Sequence, residues 1–254
     1  MSEFFTEING IPFQIFGHMH MLLSFLTISI SILLFIHRDK LRGFKYKENV
    51  RYILAAILFI NMTVYYISKI ILGIYDWKID LPLHFCFITG YVFMYILITG
   101  NRNLYKVIYF FTFAGPVPAM VWPDLAFSYD RYIFWQFVIS HHFMLLSSVY
   151  VLIALEYKVF KKHILKAFIV GNVIVGVITV FNNIFNTNYI MIEELPAQIY
   201  RMYPFVQYLP PIFWLEMVAI LAIIIAYIPA HLINKLDNSN EDECMLEDNE
   251  LKYV

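Results

Sequence analysis

The chain alternates between long apolar runs and short polar connectors. Seven runs stand out, at about residues 16–36, 52–73, 81–99, 104–121, 134–155, 164–183 and 212–233. At about 1.5 Å of rise per residue, each crosses most or all of a hydrocarbon core about 30 Å thick. The apolar residues are continuous within each run. That predicts helices, because barrel strands alternate. The pattern therefore predicts an all-α polytopic membrane protein, with seven transmembrane helices in one bundle over residues 1–236. Residues 237–254 are acidic and nearly free of apolar periodicity, so they are expected to form a disordered tail. Glu3 and Glu7 stand where a signal peptide would carry basic residues. The first run thus reads as a permanent span.

Charge adds orientation. Of the 18 lysines and arginines, 14 fall in the 37–51, 100–106 and 156–166 connectors and the C-terminal tail. Lys78, Arg131 and Arg201 lie on the other side, and Lys69 lies inside the second run. By the positive-inside rule the N-terminus is outside and the C-terminus cytoplasmic, as in a multi-pass plasma-membrane protein. Composition agrees: 61% of residues are hydrophobic and only 15% charged, too apolar for an ordinary soluble domain. A net charge of -1 offers no basic surface for nucleic acid. Two cysteines, one in a span and Cys244 in the polar tail, exclude a disulfide framework.

Polar side chains inside a bilayer are costly and usually face the bundle interior. Here they gather toward one side of the membrane. His18 and His20 open the first span, and His84 and Cys86 the third. Gln136, Ser140, His141 and His142 lie in the first turns of the fifth. Glu216 lies one turn into the seventh, and Asn182 and Asn183 end the sixth. This depth matching predicts a shared cavity opening to the outer leaflet. In the third run Pro82 suits a first helical position, which puts Cys86 in the second turn. Cys86, Thr89, Gly90 and Phe93 then share one face, and His84 points elsewhere. Gly90 permits close approach of a neighbouring helix. The outer connector 184–211 is rich in Pro and Tyr, as lids and binding loops often are.

Cys86 is the candidate nucleophile. A free thiol has a pKa of about 8.5 and is mostly protonated at neutral pH, so a histidine must take its proton during attack. His141 and His142 are adjacent and about 100° apart on a helix, so at most one points straight at Cys86. A metal reading competes. His18, His20, His84, His141, His142 and Glu216 are all zinc-binding side chains, which would make a zinc-dependent lipid hydrolase, but none of the usual ligand spacings is present. A transporter or receptor with a polar outer cavity is the third reading.

Several motifs, in order, resemble one family. Leu81-Pro82-Leu83-His84-Phe85-Cys86, Gly115 through Pro123-Asp124, Gln136-Phe137-Val138-Ile139-Ser140-His141, and Asn186-Thr187-Asn188-Tyr189-Ile190-Met191 with Pro196 are similar to segments of the YwaF-like bacterial proteins and transmembrane protein 164 of animals. The androgen-induced family of lipid hydrolases is a more distant relative. The resemblance implies a membrane enzyme that needs no metal or other cofactor and handles fatty-acyl groups. Cys86 would form an acyl-thioester and His141 would be its base. A membrane phospholipid would donate the acyl chain to a lysophospholipid or to water. His84, His142, Gln136, Ser140, Asn182, Glu216 and His20 are the expected supporting or substrate-binding residues. The chain departs from the family pattern at Phe87, where many members are more polar, and at His142, where members carry glycine.

Overall fold

The computed structural model describes residues 3–6 and 8–237. The expectation for the tail beyond Asp237 falls outside them. The described chain is all-helical apart from an isolated bridge between Pro12 and Phe127. Its long elements are α1 (His18–Ile36), α2 (Lys47–Leu72), α3 (Phe85–Thr99), α4 (Arg102–Val121), α5 (Tyr132–Ala154), α6 (Lys162–Phe185) and α7 (Pro211–Asp237). Six of them are long and apolar enough to cross a membrane, and α3 is the shorter exception at 15 residues. The protein is a multi-pass membrane protein.

The third run is short for a local reason. Pro82 holds Leu81 extended (φ -60°, ψ 149°). His84 is extended too (φ -66°, ψ 142°) and acts as the N-cap, so the helix begins at Phe85. Pro82 is thus not the first helical position. Cys86 falls in the first turn, not the second.

The interior element is the first part of α4, Arg102–Ala114. Tyr105 and every residue from Val107 to Phe113 are buried, and this helix packs on α3, α5, α6 and α7. It is the least hydrophobic of the long helices, with a run of Tyr, Phe and Thr. Few residues of the Ile- and Val-rich α6 and α7 are buried. That inversion is expected where lipid replaces water, because the outside must be apolar all round and the inside can carry partnered hydroxyls. The tyrosine hydroxyls of this helix are partnered. Tyr105 Oη donates to the Ser148 carbonyl at 2.7 Å, and Tyr109 Oη donates to that of Ala226 at 2.8 Å.

Two long helices are broken. α4 bends at Gly115-Pro116, where the segment Pro116–Val121 takes over. Proline removes a donor and ends the regular ladder. α5 contains one π turn, Ile139–Phe143, between Tyr132–Val138 and Met144–Ala154. Periodicity predicted a regular helix at both places.

The ends are tied by charge. At one end Arg42 donates to the Ile153 carbonyl and pairs with Asp237 at 2.7 Å, and Lys158 pairs with the same carboxylate. At the other, Asp80 accepts from Lys69 at 2.6 Å, from Tyr65 Oη and from the Asp76 N–H. The 184–211 connector is folded, with a 3₁₀ turn at Tyr189–Met191, a short helix at Ala197–Met202 and a second 3₁₀ turn at Pro204–Tyr208.

α3 packs on α2 at Gly90. A Cβ on Gly90 would lie 2.3 Å from Met62 Cε. Gly90→Leu is expected to overfill this contact, displace the Met62 side chain and lower the melting temperature in detergent, at a cost of about 1–3 kcal/mol. Gly176→Ala on exposed α6, with nothing within 4 Å of the new Cβ, should leave that temperature unchanged or slightly higher.

Candidate functional site

The breaks described above converge on one cavity of about 800 Å³. Its lining is mostly apolar and comes from α2 to α7 together with the 184–211 connector. Cys86, His84, Gln136, Ser140, His141 and Glu216 all border it. Its volume is that of a small-molecule site, and a few polar groups in an apolar wall are what such sites carry.

Cys86 reaches the cavity from the first turn of α3, where its own N–H has no hydrogen-bond acceptor among the described residues. Unpaired first-turn amides make this end of a helix favourable to negative charge. The thiol lies against the bend of α4: a Cβ on Gly115 would be 3.0 Å from Cys86 Sγ and 3.4 Å from the Phe85 ring. Gly115 is thus a close-approach glycine with ordinary helical dihedrals (φ -86°, ψ -61°).

His141 reaches the cavity from the π turn, against which both α3 and Pro116–Val121 pack. A π turn inserts a residue and re-aims the side chains around it. The His141 ring stacks on Phe137 at 4.3 Å, and its Nδ1 lies 2.9 Å from the Phe137 carbonyl. A carbonyl only accepts, so Nδ1 carries the proton of the neutral ring and Nε2 keeps a free lone pair. No hydrogen bond joins His141 to Cys86 among the described residues.

The adjacent histidine faces away. His142 is buried against α1, with Nδ1 2.7 Å from Thr27 Oγ1. The Thr27 hydroxyl already donates to the Leu23 carbonyl at 2.8 Å, so His142 is the donor to Thr27. His142 does not border the cavity, and neither do His20 and Asn182. His20 accepts from the Phe16 N–H at 2.8 Å and donates to the Met120 carbonyl at 2.6 Å, a satisfied neutral ring that ties α1 to the end of α4. Asn182 latches the connector: its side-chain amide pairs with the Tyr189 N–H and carbonyl at 3.0 and 2.9 Å, and it accepts from the Thr187 hydroxyl. The latch holds Ile190 in the left-handed region (φ 63°), a costly place for a β-branched residue. Ile190 then borders the cavity and donates its N–H to His84 Nδ1 at 3.3 Å.

Glu216 is half-buried at the cavity wall and has no hydrogen-bond or ion-pair partner among the described residues. Asp124 lies at the same wall, where burial pushes its carboxyl up from the usual range, and Gln198 donates to it at 3.3 Å. Phe87 packs on the rings of Tyr65 and Tyr66 at 5.5 and 5.9 Å, which accounts for an apolar residue at that position.

Sequence reasoning missed Asn61. Its Nδ2 donates to Ser140 Oγ at 3.0 Å, and Gln136 Nε2 donates to the same oxygen at 2.8 Å. A lone amide in the middle of the second apolar run was the available signal. It also missed Tyr65 and Lys69, which border the cavity beside Asp80. The zinc reading finds no fitting residues. Among the described residues no three His, Cys, Asp or Glu side chains converge to hold an ion, and His20 and His142 are engaged elsewhere.

Fold and site together define a polytopic helical membrane protein with a cysteine and a histidine facing one apolar chamber. The chain belongs to the TMEM164 family, whose sequence profile matches residues 13–228. No curated protein and no solved structure compared with the chain matches it.

Gly115→Ala tests whether the Cys86 thiol needs the space at the bend. Alanine before Pro116 is disfavoured at these dihedrals but not excluded, so the protein should fold with a small loss of stability and with Sγ displaced by the new methyl. The rate of Cys86 alkylation by iodoacetamide is expected to change at least severalfold while the detergent melting temperature stays within a few degrees.

Proposed function

We propose that this protein is a membrane-embedded lipid acyl-transfer enzyme, a phospholipid acyltransferase or acyl hydrolase, that works through an acyl-thioester on Cys86 with His141 as base. The observation that carries the reading is that Cys86 and His141 border one largely apolar cavity of about 800 Å³, with the free His141 nitrogen set by the Nδ1 bond to Phe137. An apolar chamber walled by lipid-facing helices suits an acyl chain drawn from the membrane.

The steps balance without a redox partner. Cys86 Sγ attacks the ester carbonyl carbon while His141 Nε2 takes the thiol proton. The tetrahedral intermediate collapses, the ester C–O bond breaks, and His141 returns the proton to the departing alkoxide. The lysolipid leaves and the acyl group stays on sulfur. A second hydroxyl, from a lysophospholipid or water, then attacks the thioester. His141 accepts its proton and returns it to the departing thiolate. Glu216 and His84 are the other polar groups at the wall, placed to hold the polar part of the lipid.

The same reading places seven helices across the plasma membrane, α3 being the short one. The basic connectors and the C-terminus are cytoplasmic, and the cavity opens toward the outer leaflet. The lysine and arginine distribution supports this orientation.

The acyl-enzyme is tested by intact mass. Purified protein incubated with vesicles of phosphatidylethanolamine and phosphatidylglycerol is expected to gain one acyl mass on Cys86. Cys86→Ala should gain none, and His141→Ala should form the adduct about 10²–10⁴-fold more slowly. Absence of any adduct with these lipids in the unaltered protein would sink the thioester route. Topology is tested separately in a Cys86→Ala, Cys244→Ala background. Arg201→Cys should react with a membrane-impermeant maleimide in intact cells, and Lys40→Cys only after permeabilisation.

A further inference from the structure

A thioester mechanism needs donors where the carbonyl oxygen becomes negative, and the assignment of Cys86 and His141 leaves that role unfilled. Ser140 has the bonding pattern of such a donor. It is one residue before His141 in the π turn, is 6% exposed and borders the cavity. Its oxygen receives two amide N–H groups, from Asn61 at 3.0 Å and from Gln136 at 2.8 Å. A hydroxyl has two lone pairs and one hydrogen. With both lone pairs occupied, Ser140 is a poor nucleophile or base, and its chemistry is confined to donating. Among the described residues its O–H has no acceptor, although Asn61 and Gln136 are themselves only 4% and 6% exposed. Two donors into one oxygen also polarise its O–H bond and strengthen it as a donor.

A second donor lies at the nucleophile. The Cys86 N–H, in the first turn of α3, has no hydrogen-bond acceptor among the described residues, and α3 packs directly on the π turn that carries Ser140. We infer that the Ser140 hydroxyl, held by Asn61 and Gln136, and the Cys86 N–H together form the oxyanion pocket of the acyl-transfer site. Ser140 is then a catalytic residue, and Asn61 and Gln136 are positioning residues. The inference rests on the Cys86 thioester reading. In the step itself, the Cys86 sulfur adds to the carbonyl carbon, and the π pair moves onto the carbonyl oxygen. Ser140 O–H and Cys86 N–H donate to that oxygen without giving up their protons. The pair returns as the C–O bond to the leaving group breaks.

The test separates oxyanion stabilisation from thiol reactivity. Acylation of Cys86 by p-nitrophenyl octanoate passes through an oxyanion, whereas alkylation of the same thiol by iodoacetamide does not. Both rates are read at Cys86 by peptide mass. Ser140→Ala is expected to slow acylation about 10²–10³-fold and leave alkylation within about threefold, with Ser140→Thr, which keeps the hydroxyl, restoring most of the acylation. Should Ser140→Ala fail to fold, Ser140→Thr is compared with Ser140→Cys, whose S–H is a weak donor; the threonine variant should acylate faster by at least tenfold. Unchanged acylation in Ser140→Ala overturns the inference, as do equal rates in the threonine and cysteine variants. A parallel fall of acylation and alkylation assigns Ser140 to structure alone and overturns it too. Alkylation without any acylation in the unaltered protein removes the thioester reading itself, and the oxyanion pocket with it.

Discussion

The chamber depends on a constraint that a bilayer imposes and water does not. A helix broken within hydrocarbon frees backbone polar groups that no solvent can satisfy. This protein breaks two of its helices and starts a third late around the same cavity, and hydrogen bonds inside the bundle satisfy part of what each departure frees. α3 starts late, and the His84 carbonyl receives the Phe87 and Ile88 N–H groups. α4 bends at Gly115-Pro116, where proline has no N–H to leave unpaired. α5 widens into a π turn, and the Phe137 carbonyl just before it receives the His141 Nδ1–H. Regular helices packed side by side would leave only narrow gaps between them. Three local departures at one level open a cavity of about 800 Å³ and bring Cys86, Gly115 and His141 around it.

The interior of the bundle follows the same accounting. Most of the side chains that fill the middle of α4 are aromatic or hydroxyl-bearing, and the tips of Tyr105 and Tyr109 end on carbonyls of other helices. Asn182 does for the 184–211 connector what a strand partner would do in a sheet, pairing with both the N–H and the carbonyl of Tyr189. These contacts hold the wall of the cavity from outside. They explain why several polar residues at the right depth do not border the cavity. His20 fastens α1 to Met120, and His142 fastens α5 to Thr27. In both cases donor counting fixes the tautomer and shows the ring already engaged.

The residues that do face the chamber differ in hydrogen-bond capacity. His141 has one nitrogen spent and one free. Ser140 has its lone pairs spent and its hydrogen free. Glu216 has its full acceptor capacity in an apolar wall. Such complementary bonding capacities around one largely apolar cavity are the pattern of a site that takes a bound molecule.

Much of this was legible in the chain alone. Continuous apolar runs specify membrane helices because every backbone group must bond within its own segment, and charged connectors appear wherever the chain leaves the hydrocarbon. The depth of Cys86, His84, Gln136, Ser140, His141 and Glu216 was readable too, since rise per residue is fixed, and all six border the cavity. Direction was not readable. A π turn shifts the faces of α5, so which of His141 and His142 faces the cavity could not be read, and nothing in periodicity marks such a turn. The late start of α3 moves Cys86 into the first turn. His20 and Asn182 lie at suitable depth but bond to carbonyls that only the folded chain brings near. Asn61 stands in an unremarkable apolar run, and its role exists only because α2 packs against the π turn. Sequence sets how deep a side chain lies through a one-dimensional repeat. Which neighbour it meets depends on where helices break and how they cross, which are properties of the packed bundle.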